Sequence, residues 1–267
     1  MKLLDFRINV YKNLLGSLIS AGYSFQTYHE FTEQPQNKVI LLRHDVDARK
    51  EHSLQFARIQ YEYGIKGTYY FRVVPQSFDE GVIREIISMG HEVGYHYEDM
   101  DFAKGDVDKA YELAKKHLAQ LREVAEIATI CMHGSPHSQY DNKEVWKKYD
   151  YRDLGIIAEP YFDLDFSKVL YLTDTGRRWD GEHLSIRDKE PRGAGNLNNE
   201  FQSLSERFSF RCTQDIISAC NSGKLPNQIM FNFHPQRWSD NPLKWTQELV
   251  WQNVKNVVKR GLVKFRD

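Results

Sequence analysis

From residue 39 onward the sequence alternates short apolar runs with amphipathic helical patterns, and this alternation limits the folds open to the chain. The runs predicted as strands are 39–42, 67–72, 91–94, 127–132, 154–158, 169–172 and 229–233. Strands that alternate with helices form parallel sheets covered by helices. About seven such units without a Gly-rich nucleotide-binding turn favour a barrel over a doubly wound sheet. The sequence therefore predicts an α/β barrel.

The helical patterns between these runs complete the predicted organisation. They cover residues 48–63, 80–89, 107–124, 143–149, part of 201–220, and 243–259. At about 150 residues per domain, a chain of 267 residues can form one large barrel. Before the barrel, apolar residues from Leu3 to Ile19 recur at spacings of three and four and end at Gly22. We therefore predict a lead-in with a packing helix over 1–37 and a single barrel domain over 38–267.

Composition and charge exclude several classes of protein. Hydrophobic residues make up 41% and charged residues 27%, which is typical of folded globular domains. The 36 basic and 37 acidic residues leave a net charge of −1, so no global field attracts nucleic acid or anionic membrane, and an acidic partner must be recognised locally. The three cysteines form no CxxC pair and are predicted to be reduced thiols. Polar residues interrupt the first apolar run and no stretch approaches a membrane span, so we predict a cytoplasmic protein.

Titratable side chains follow five of the predicted strands at the point where each strand ends. They are His44, Asp45 and Asp47 after the first, then His96, His133, Asp174 and His234 after later ones. The carboxyl ends of barrel strands share one rim, so these residues are expected to converge. Any one of them alone is more typical of a helix cap or a buried polar residue. Five together indicate a functional site.

The residue types at this rim suit metal-assisted hydrolysis. Carboxylates and imidazoles bind Zn²⁺, or Fe, Co, Ni or Mn, and leave a position open for water. A carboxylate beside such a water can accept its proton as the nucleophile forms. Gly-x-Ser-x-Gly and Walker motifs are missing from the sequence, which argues against serine-hydrolase and P-loop chemistry.

At these residues, over roughly Val39 to His234, the chain resembles the polysaccharide deacetylase (NodB homology) superfamily, carbohydrate esterase family four. Five segments match the family's motifs in order: RHDVD, GHEVGYHYEDM, HGSP, YLTDTGRRW and FNFHP. GHEVGYH is the most distinctive of them. The variants RHDVD and HGSP are similar to those of a subgroup, some of whose members resemble enzymes of surface-polysaccharide sugar modification.

The resemblance implies a distorted seven-stranded (β/α) barrel that removes an acetyl or related acyl group from an amino sugar or sugar derivative, using a divalent metal, most typically zinc. It implies that Asp45 is the general base and that Asp47 and His96 are metal ligands. It also implies that His234 is the general acid, oriented by Asp174. Val46 separates two aspartates that are adjacent in the family, so the roles of Asp45 and Asp47 are open to exchange.

Two departures from the family pattern leave alternatives open. Met100 stands where the family has its second ligand histidine, so another donor must complete the triad. Glu98 and His133 are the candidates, Asp101 is an outsider, and we favour His133 because it ends a different strand on the same rim. The family's third-motif arginine is also missing. The candidates to supply its positive charge are Arg43, Arg177 and Arg178. For each of them, the alternative is a solvated position at the protein surface.

The expected substrate is a small carbohydrate or a nucleotide sugar. We expect no nucleic-acid partner and no membrane span, and the sequence does not indicate the oligomeric state. Four aromatic residues near the motifs either stack on a sugar or pack in the core: Tyr95, Tyr97, Trp179 and Trp238. His44, His137 and His183 are expected to be structural. There are two competing functions, a catalytically inactive sugar-binding relative and a DxD-type glycosyltransferase. The glycosyltransferase is the weaker of the two, because it needs a nucleotide-binding half before the DVD motif and only 44 residues precede Asp45.

Overall fold

The computed structural model describes residues 4–134, 138–180 and 204–264, with only the backbone described at 205–206 and 257–264. The chain divides into two compact units. Unit 1 comprises Met1–Ser24, Gln36–Ile40 and Asp165–Asp267, and unit 2 comprises Phe25–Pro35 and Leu41–Leu164. The division predicted at residue 37 stays a prediction.

Strands and helices alternate through the described residues. The strands are β1 (Ser24–Gln26), β2 (Val39–Val46), β3 (Thr68–Phe71), β4 (Glu92–Tyr97), β5 (Ile130–Met132), β6 (Leu170–Thr173) and β7 (Gln228–Phe233). The α-helices are α1 (Ile8–Ser20), α2 (Tyr28–Glu33), α3 (Lys50–Glu62), α4 (Glu80–Ser88), α5 (Asp99–Phe102), α6 (Val107–Arg122), α7 (Pro160–Asp163), α8 (Leu204–Arg207), α9 (Thr213–Asn221) and α10 (Pro242–Lys264). Short 3₁₀ helices cover Asn142–Lys147, Tyr151–Leu154 and Pro235–Arg237.

The strands form one sheet in the order β5-β4-β3-β2-β7-β6, with β1 paired to β2. Pairing is parallel between β2 and β3, β3 and β4, β4 and β5, and β6 and β7. Parallel strands need crossover connections, which the intervening helices provide. The predicted α/β class, with seven strands joined by helices in the pattern of a distorted (β/α) barrel, is confirmed.

Local sequence explains where several elements begin. The Asp79 and Asp106 side chains accept hydrogen bonds from backbone N–H groups in the first turns of α4 and α6. Thr27 and Glu30 form a reciprocal capping box at the start of α2, which the sequence analysis missed. β2 runs to Val46, beyond its predicted end at residue 42, because its polar residues are also buried. Among the described residues, no helix has the length and apolar character needed to cross a membrane.

The strand predicted at 154–158 is wrong. The segment holds the end of a 3₁₀ helix at Leu154 and a single bridge between Thr129 and Ala158. Gly155 takes a left-handed conformation at φ 71° and ends that helix. The Glu159 carboxylate then accepts a hydrogen bond of 3.0 Å from the Met132 N–H of the edge strand β5. A side chain thus satisfies a backbone donor that the next strand of a sheet would otherwise pair.

Candidate metal centre and catalytic residues

One face of the sheet in unit 2 gathers most of the predicted site residues. In the parallel register, Asp45 pairs with Tyr70, Tyr70 with Gly94, and His96 with Cys131. Side chains two residues apart share a face of a strand, so these strands present Asp45, Tyr70, His96 and Cys131 on the same side. A Cβ at Gly94 would lie 2.4 Å from the Tyr70 ring, which explains the glycine before the motif's histidine.

His44 lies on the opposite face, as its structural interpretation predicts. Its Nδ1 lies 3.0 Å from the Thr68 carbonyl oxygen and its Nε2 lies 2.8 Å from the Gln60 amide nitrogen. Its ring stacks on Tyr69 with a centroid separation of 4.1 Å. His44 therefore ties β2 to β3 and α3. His137 and His183 lie outside the described residues, as do Pro136 of the HGSP motif and residues 181–199 of the predicted long loop.

Arg43 holds the Asp45 carboxylate in a bidentate pair. Arg43 Nε donates to Asp45 Oδ1 at 2.8 Å and Nη2 donates to Oδ2 at 2.7 Å. Nη2 also lies within 3.3 Å of the Tyr161 hydroxyl. The Arg43 side chain is only 1% exposed, so a solvated surface role is wrong for this arginine. The other two candidates in the sequence pair elsewhere: Arg177 donates to the Trp245 carbonyl, and Arg178 pairs with Asp180.

The orientation of His96 is set by the neighbouring strand. His96 Nδ1 lies 2.9 Å from the Cys131 carbonyl oxygen. A carbonyl only accepts hydrogen bonds, so Nδ1 donates and the Nε2 lone pair is directed away from this contact. His96 Nε2 lies 3.5 Å from Asp47 Oδ1 and 3.7 Å from Asp45 Oδ2. His96 thus offers Nε2 beside both aspartates.

His133 is oriented in a similar way by Glu98. Its Nδ1 lies 2.9 Å from Glu98 Oε2, and its Nε2 lies 3.7 Å from Asp47 Oδ1. Arg72 donates to both Glu98 oxygens at 2.8 and 2.7 Å, and to the Asp47 carbonyl oxygen at 3.0 Å. Burial alone would raise the pKa of Glu98, but hydrogen bonds from His133 and Arg72 outweigh it and lower that pKa. Glu98 is therefore a buried carboxylate whose two oxygens both face cationic or hydrogen-bonding partners.

Two donor sets in unit 2 have the chemistry of a metal site. Asp47 lies 3.5 and 3.7 Å from the Nε2 atoms of His96 and His133, and ligands of one tetrahedral ion with bonds of about 2.1 Å lie roughly 3.4 Å apart. Asp45, His96 and Cys131 form the second set, with donor atoms within 4.8 Å of one another. Among the described residues, only the second set has all of its donor atoms this close together, whereas the first set rests on the two distances from Asp47. In the second set, however, Arg43 hydrogen-bonds both Asp45 oxygens, so an ion there competes with a guanidinium.

The remaining candidates for the third ligand lie in other contacts. Met100 is buried in a hydrophobic cluster with Ala103, Ala110 and Val145. Asp101 accepts hydrogen bonds from Asn142, at 3.2 Å, and from Ser138. The Met100 thioether is enclosed by apolar groups and is a poor ligand for a hard divalent ion, so Met100 does not complete the donor set.

Glu159 is a buried carboxylate that the sequence analysis missed. Its oxygens accept from the backbone N–H groups of Met132 at 3.0 Å and Tyr161 at 2.5 Å. Burial raises the pKa of Glu159 to about 7, although these hydrogen bonds and the Arg43 charge oppose the shift. Glu159 caps α7 through Tyr161, and nothing in the local sequence distinguishes it from an ordinary capping residue, because Met132 and Arg43 come from distant segments.

In unit 1, Asp174 accepts four hydrogen bonds around His234. His234 Nδ1 lies 2.7 Å from Asp174 Oδ1, and the His234 N–H donates to Oδ2 at 3.0 Å. Arg237 Nη1 donates to Oδ1 at 2.7 Å and also lies 2.9 Å from His234 Nδ1, while Trp238 Nε1 donates to Oδ2 at 2.8 Å. Burial would raise the pKa of Asp174, but the Arg237 charge and the His234 contacts outweigh it and lower that pKa. Asp174 is thus a fixed, ionised partner of His234.

The aromatic residues near the motifs belong to the core. Tyr95, Tyr97, Trp179 and Trp238 are all buried. Trp238 Nε1 serves Asp174, and Tyr97 packs edge-on against Trp146. Their alternative role, stacking on a sugar, has no accessible ring face to support it.

Comparisons with known proteins give distant structural likenesses. No protein-family model matches the chain, and no curated protein matches it. Among solved structures, a CE4 family pseudoenzyme from Bacillus anthracis has 13% identity and a TM-score of 0.44, over 85% of this chain and 63% of that one. A Streptococcus mutans CE4 esterase has 12% identity and a TM-score of 0.43, over 90% of this chain and 89% of that one. A family 4 carbohydrate esterase from Streptomyces lividans has 13% identity and a TM-score of 0.38, over 85% and 90%. This chain therefore spans less than two thirds of the pseudoenzyme's length, and the activities in these names belong to those proteins.

Proposed function

We propose that this chain is a metal-dependent hydrolase that removes an acetyl or related acyl group from an amino sugar or another sugar derivative. The observation that supports this most is the placement of Asp47 beside the Nε2 atoms of two imidazoles, at 3.5 and 3.7 Å. A metal ligand histidine normally has its other ring nitrogen held by a carbonyl or carboxylate. His96 meets that requirement through Cys131, and His133 meets it through Glu98.

His133, rather than Glu98, is the proposed third ligand. Both Glu98 oxygens accept hydrogen bonds from Arg72, and one of them also faces His133. A direct bond from Glu98 to an ion would break this network and leave the Arg72 charge without its carboxylate. His133 needs no such rearrangement, because its Nε2 already faces Asp47. The proposed ligands are therefore Asp47, His96 and His133, with Glu98 orienting His133.

The same geometry supports Asp45 as the general base and Asp47 as the ligand. A divalent ion bound by the three ligands would polarise the acyl carbonyl and make a bound water more acidic. Asp45 accepts the proton of the attacking water, and Arg43 fixes the direction of both Asp45 oxygens. His234, with its Nδ1 side facing Asp174, donates the proton that the leaving nitrogen or oxygen needs. The general-acid role of His234 rests on the motif resemblance and on this contact.

Metal analysis and acyl release test the proposal together. Protein purified without added ions is analysed for bound metal and then assayed for acetate release from acetylated amino sugars, sugar esters and nucleotide sugars. We expect chelation to abolish release and Zn²⁺, Co²⁺ or Ni²⁺ to restore it. Full turnover in a metal-free sample would contradict the mechanism.

One observation favours a second candidate, an inactive sugar-binding relative. Met100 is buried among apolar residues at the position where the family pattern has a ligand, so one conventional donor is lost. This alternative would be established if the protein bound a sugar but bound no metal and released no acyl group. The surface-polysaccharide context, the cytoplasmic location and the absence of a nucleic-acid partner stay predictions, and the oligomeric state stays open.

A further inference from the structure

The last helix of unit 1, α10, buries several polar side chains and exposes several large apolar ones. Its most buried residues are polar, since Glu248, Gln252 and Asn256 are each no more than 9% exposed, and they lie beside the partly buried Trp245 and Leu249. Four of its exposed residues are apolar, since Leu243, Val250, Trp251 and Val254 are between 51% and 75% exposed. The polar residues Lys244, Thr246, Gln247 and Asn253 are exposed as well. At 100° per residue the four apolar residues lie within about a third of the helix circumference. We call them the outer stripe of α10.

Polar contacts within unit 1 fix α10 in this orientation. Asn256 Nδ2 donates to the Gly176 carbonyl at 3.1 Å, and Trp245 Nε1 donates to the Asp5 carbonyl at 2.8 Å. Arg177 donates to the Trp245 carbonyl at 3.0 Å, and its guanidinium lies 4.6 Å from the Trp245 ring centroid. Turning the outer stripe inward would break these contacts and bury apolar groups against polar ones. The exposure of the stripe is therefore built into the packing.

The charge of α10 differs from that of the whole chain. Pro242–Lys264 contains five basic residues, Lys244, Lys255, Lys259, Arg260 and Lys264, and one acidic residue, the buried Glu248. The complete chain has a net charge of −1. Lys255 Nζ lies 5.1 Å from the Trp251 ring centroid, so a cation borders the outer stripe at its tryptophan.

We propose that α10 lies flat on an anionic lipid surface, with the outer stripe entering the boundary between headgroups and acyl chains. A helix with one apolar face that includes Trp, and with an excess of Lys and Arg, is typical of interfacial binding. Anionic headgroups attract the basic residues, and a tryptophan ring suits the interfacial depth. A second copy of α10 is a poorer occupant, because it would place one strongly basic helix against another. The proposal is independent of the hydrolase function.

Vesicle sedimentation with the full chain tests the docking. The probes are phosphatidylcholine vesicles with and without phosphatidylserine, at low and high salt. We expect binding to the anionic vesicles alone, and release at high salt because the attraction is screened. The double variant Trp251→Gln/Val254→Gln should bind roughly tenfold more weakly. Lys255→Glu should also weaken binding, through its charge.

A matched control and a second measurement separate the outcomes. Phe162→Gln removes an exposed aromatic ring from unit 2 and should bind vesicles like the parent. Thermal unfolding checks that each variant folds. Absence of binding, equal binding to neutral vesicles, or full binding by the double variant would overturn the proposal. A dimer in sedimentation velocity that the double variant dissociates would also overturn it, since a second copy would then cover the stripe.

Discussion

Arg43 and Asp45, two residues apart on β2, share two nearly parallel hydrogen bonds of 2.8 and 2.7 Å inside the protein. Residues two apart lie on the same face of a strand, so β2 places the positive Arg43 and the negative Asp45 next to each other on that face. This pair orients Asp45 without help from the HGSP segment, which carries no arginine. It also separates the two aspartates of RHDVD chemically, since Asp47 faces the imidazoles of His96 and His133, whereas Asp45 faces a guanidinium as well as His96.

Replacing Asp45 with asparagine should keep the metal and lose the rate. Removal of a general base costs on the order of 10² to 10⁴ in turnover, because the water then lacks a proton acceptor. Metal content and acyl release of Asp45→Asn are measured beside Asp47→Asn. We expect Asp47→Asn to bind metal far more weakly. If Asp45→Asn loses the metal and Asp47→Asn retains it, the two roles are exchanged.

Substitutions at His133 and Glu98 should differ in severity. His133→Ala removes a proposed ligand and should abolish tight metal binding. Glu98→Gln keeps the ligand but weakens its orientation, so metal affinity should fall by about 10- to 100-fold. Metal titration with a competing chelator gives both affinities. Unchanged affinity in both variants would exclude both residues and favour Asp101 or an open, ligand-poor site.

The absorption of bound Co²⁺ should be insensitive to Cys131. Asp47, His96 and His133 supply only oxygen and nitrogen donors, so the cobalt protein should have no thiolate charge-transfer band and Cys131→Ser should match the parent. Cys212→Ser, in unit 1, is the control. A thiolate band lost only in Cys131→Ser would move the ion to the set of Asp45, His96 and Cys131.

Two buried groups of unit 2 should give opposite pH dependences of stability. Burial raises the pKa of Glu159 from 4.5 to about 7, so the folded state retains a proton that the unfolded chain releases, and stability falls as pH rises through that window. Burial lowers the pKa of His91 from 6.5 to about 4, so stability rises with pH from about 4 to 6.5. Each effect is on the order of 3 kcal/mol, and the two largely cancel.

Glu159→Gln should reveal the His91 effect. The free energy of unfolding, measured with urea between pH 4 and 7, should then rise with pH more steeply than in the parent. Glu126→Gln, at an exposed position, should follow the parent curve. Parallel curves for Glu159→Gln and the parent would show that Glu159 titrates normally.

Sequence patterns predicted most of the strands because hydrophobic periodicity is local, but they ended β2 and β4 several residues early, where polar residues continue the strand. They predicted that Asp47, His96 and His133 converge, since parallel strands end at one edge, and the structure places Asp47 3.5 and 3.7 Å from the two imidazoles. They could not show that Arg43 is buried, because its partner Tyr161 lies 118 residues away. The false strand at 154–158 has a similar cause: Glu159 satisfies the Met132 N–H with a side chain. For α10 the helix was predicted, but nothing local indicates that the polar face is the buried one.

The three-residue edge strand β5 supports both imidazoles. Its Cys131 carbonyl holds His96 Nδ1, and the His133 N–H that follows it donates to the Tyr97 carbonyl at 2.9 Å. Short edge strands open more readily than central ones, and each opening of β5 would release both rings. An ion held by His96 and His133 would therefore clamp β5 to β4, and the backbone amide of His133 would exchange with solvent more slowly while the ion is bound. The opening of β5 and metal binding would therefore be coupled: the ion would bind the closed sheet edge, and its binding would lower the population in which β5 is open.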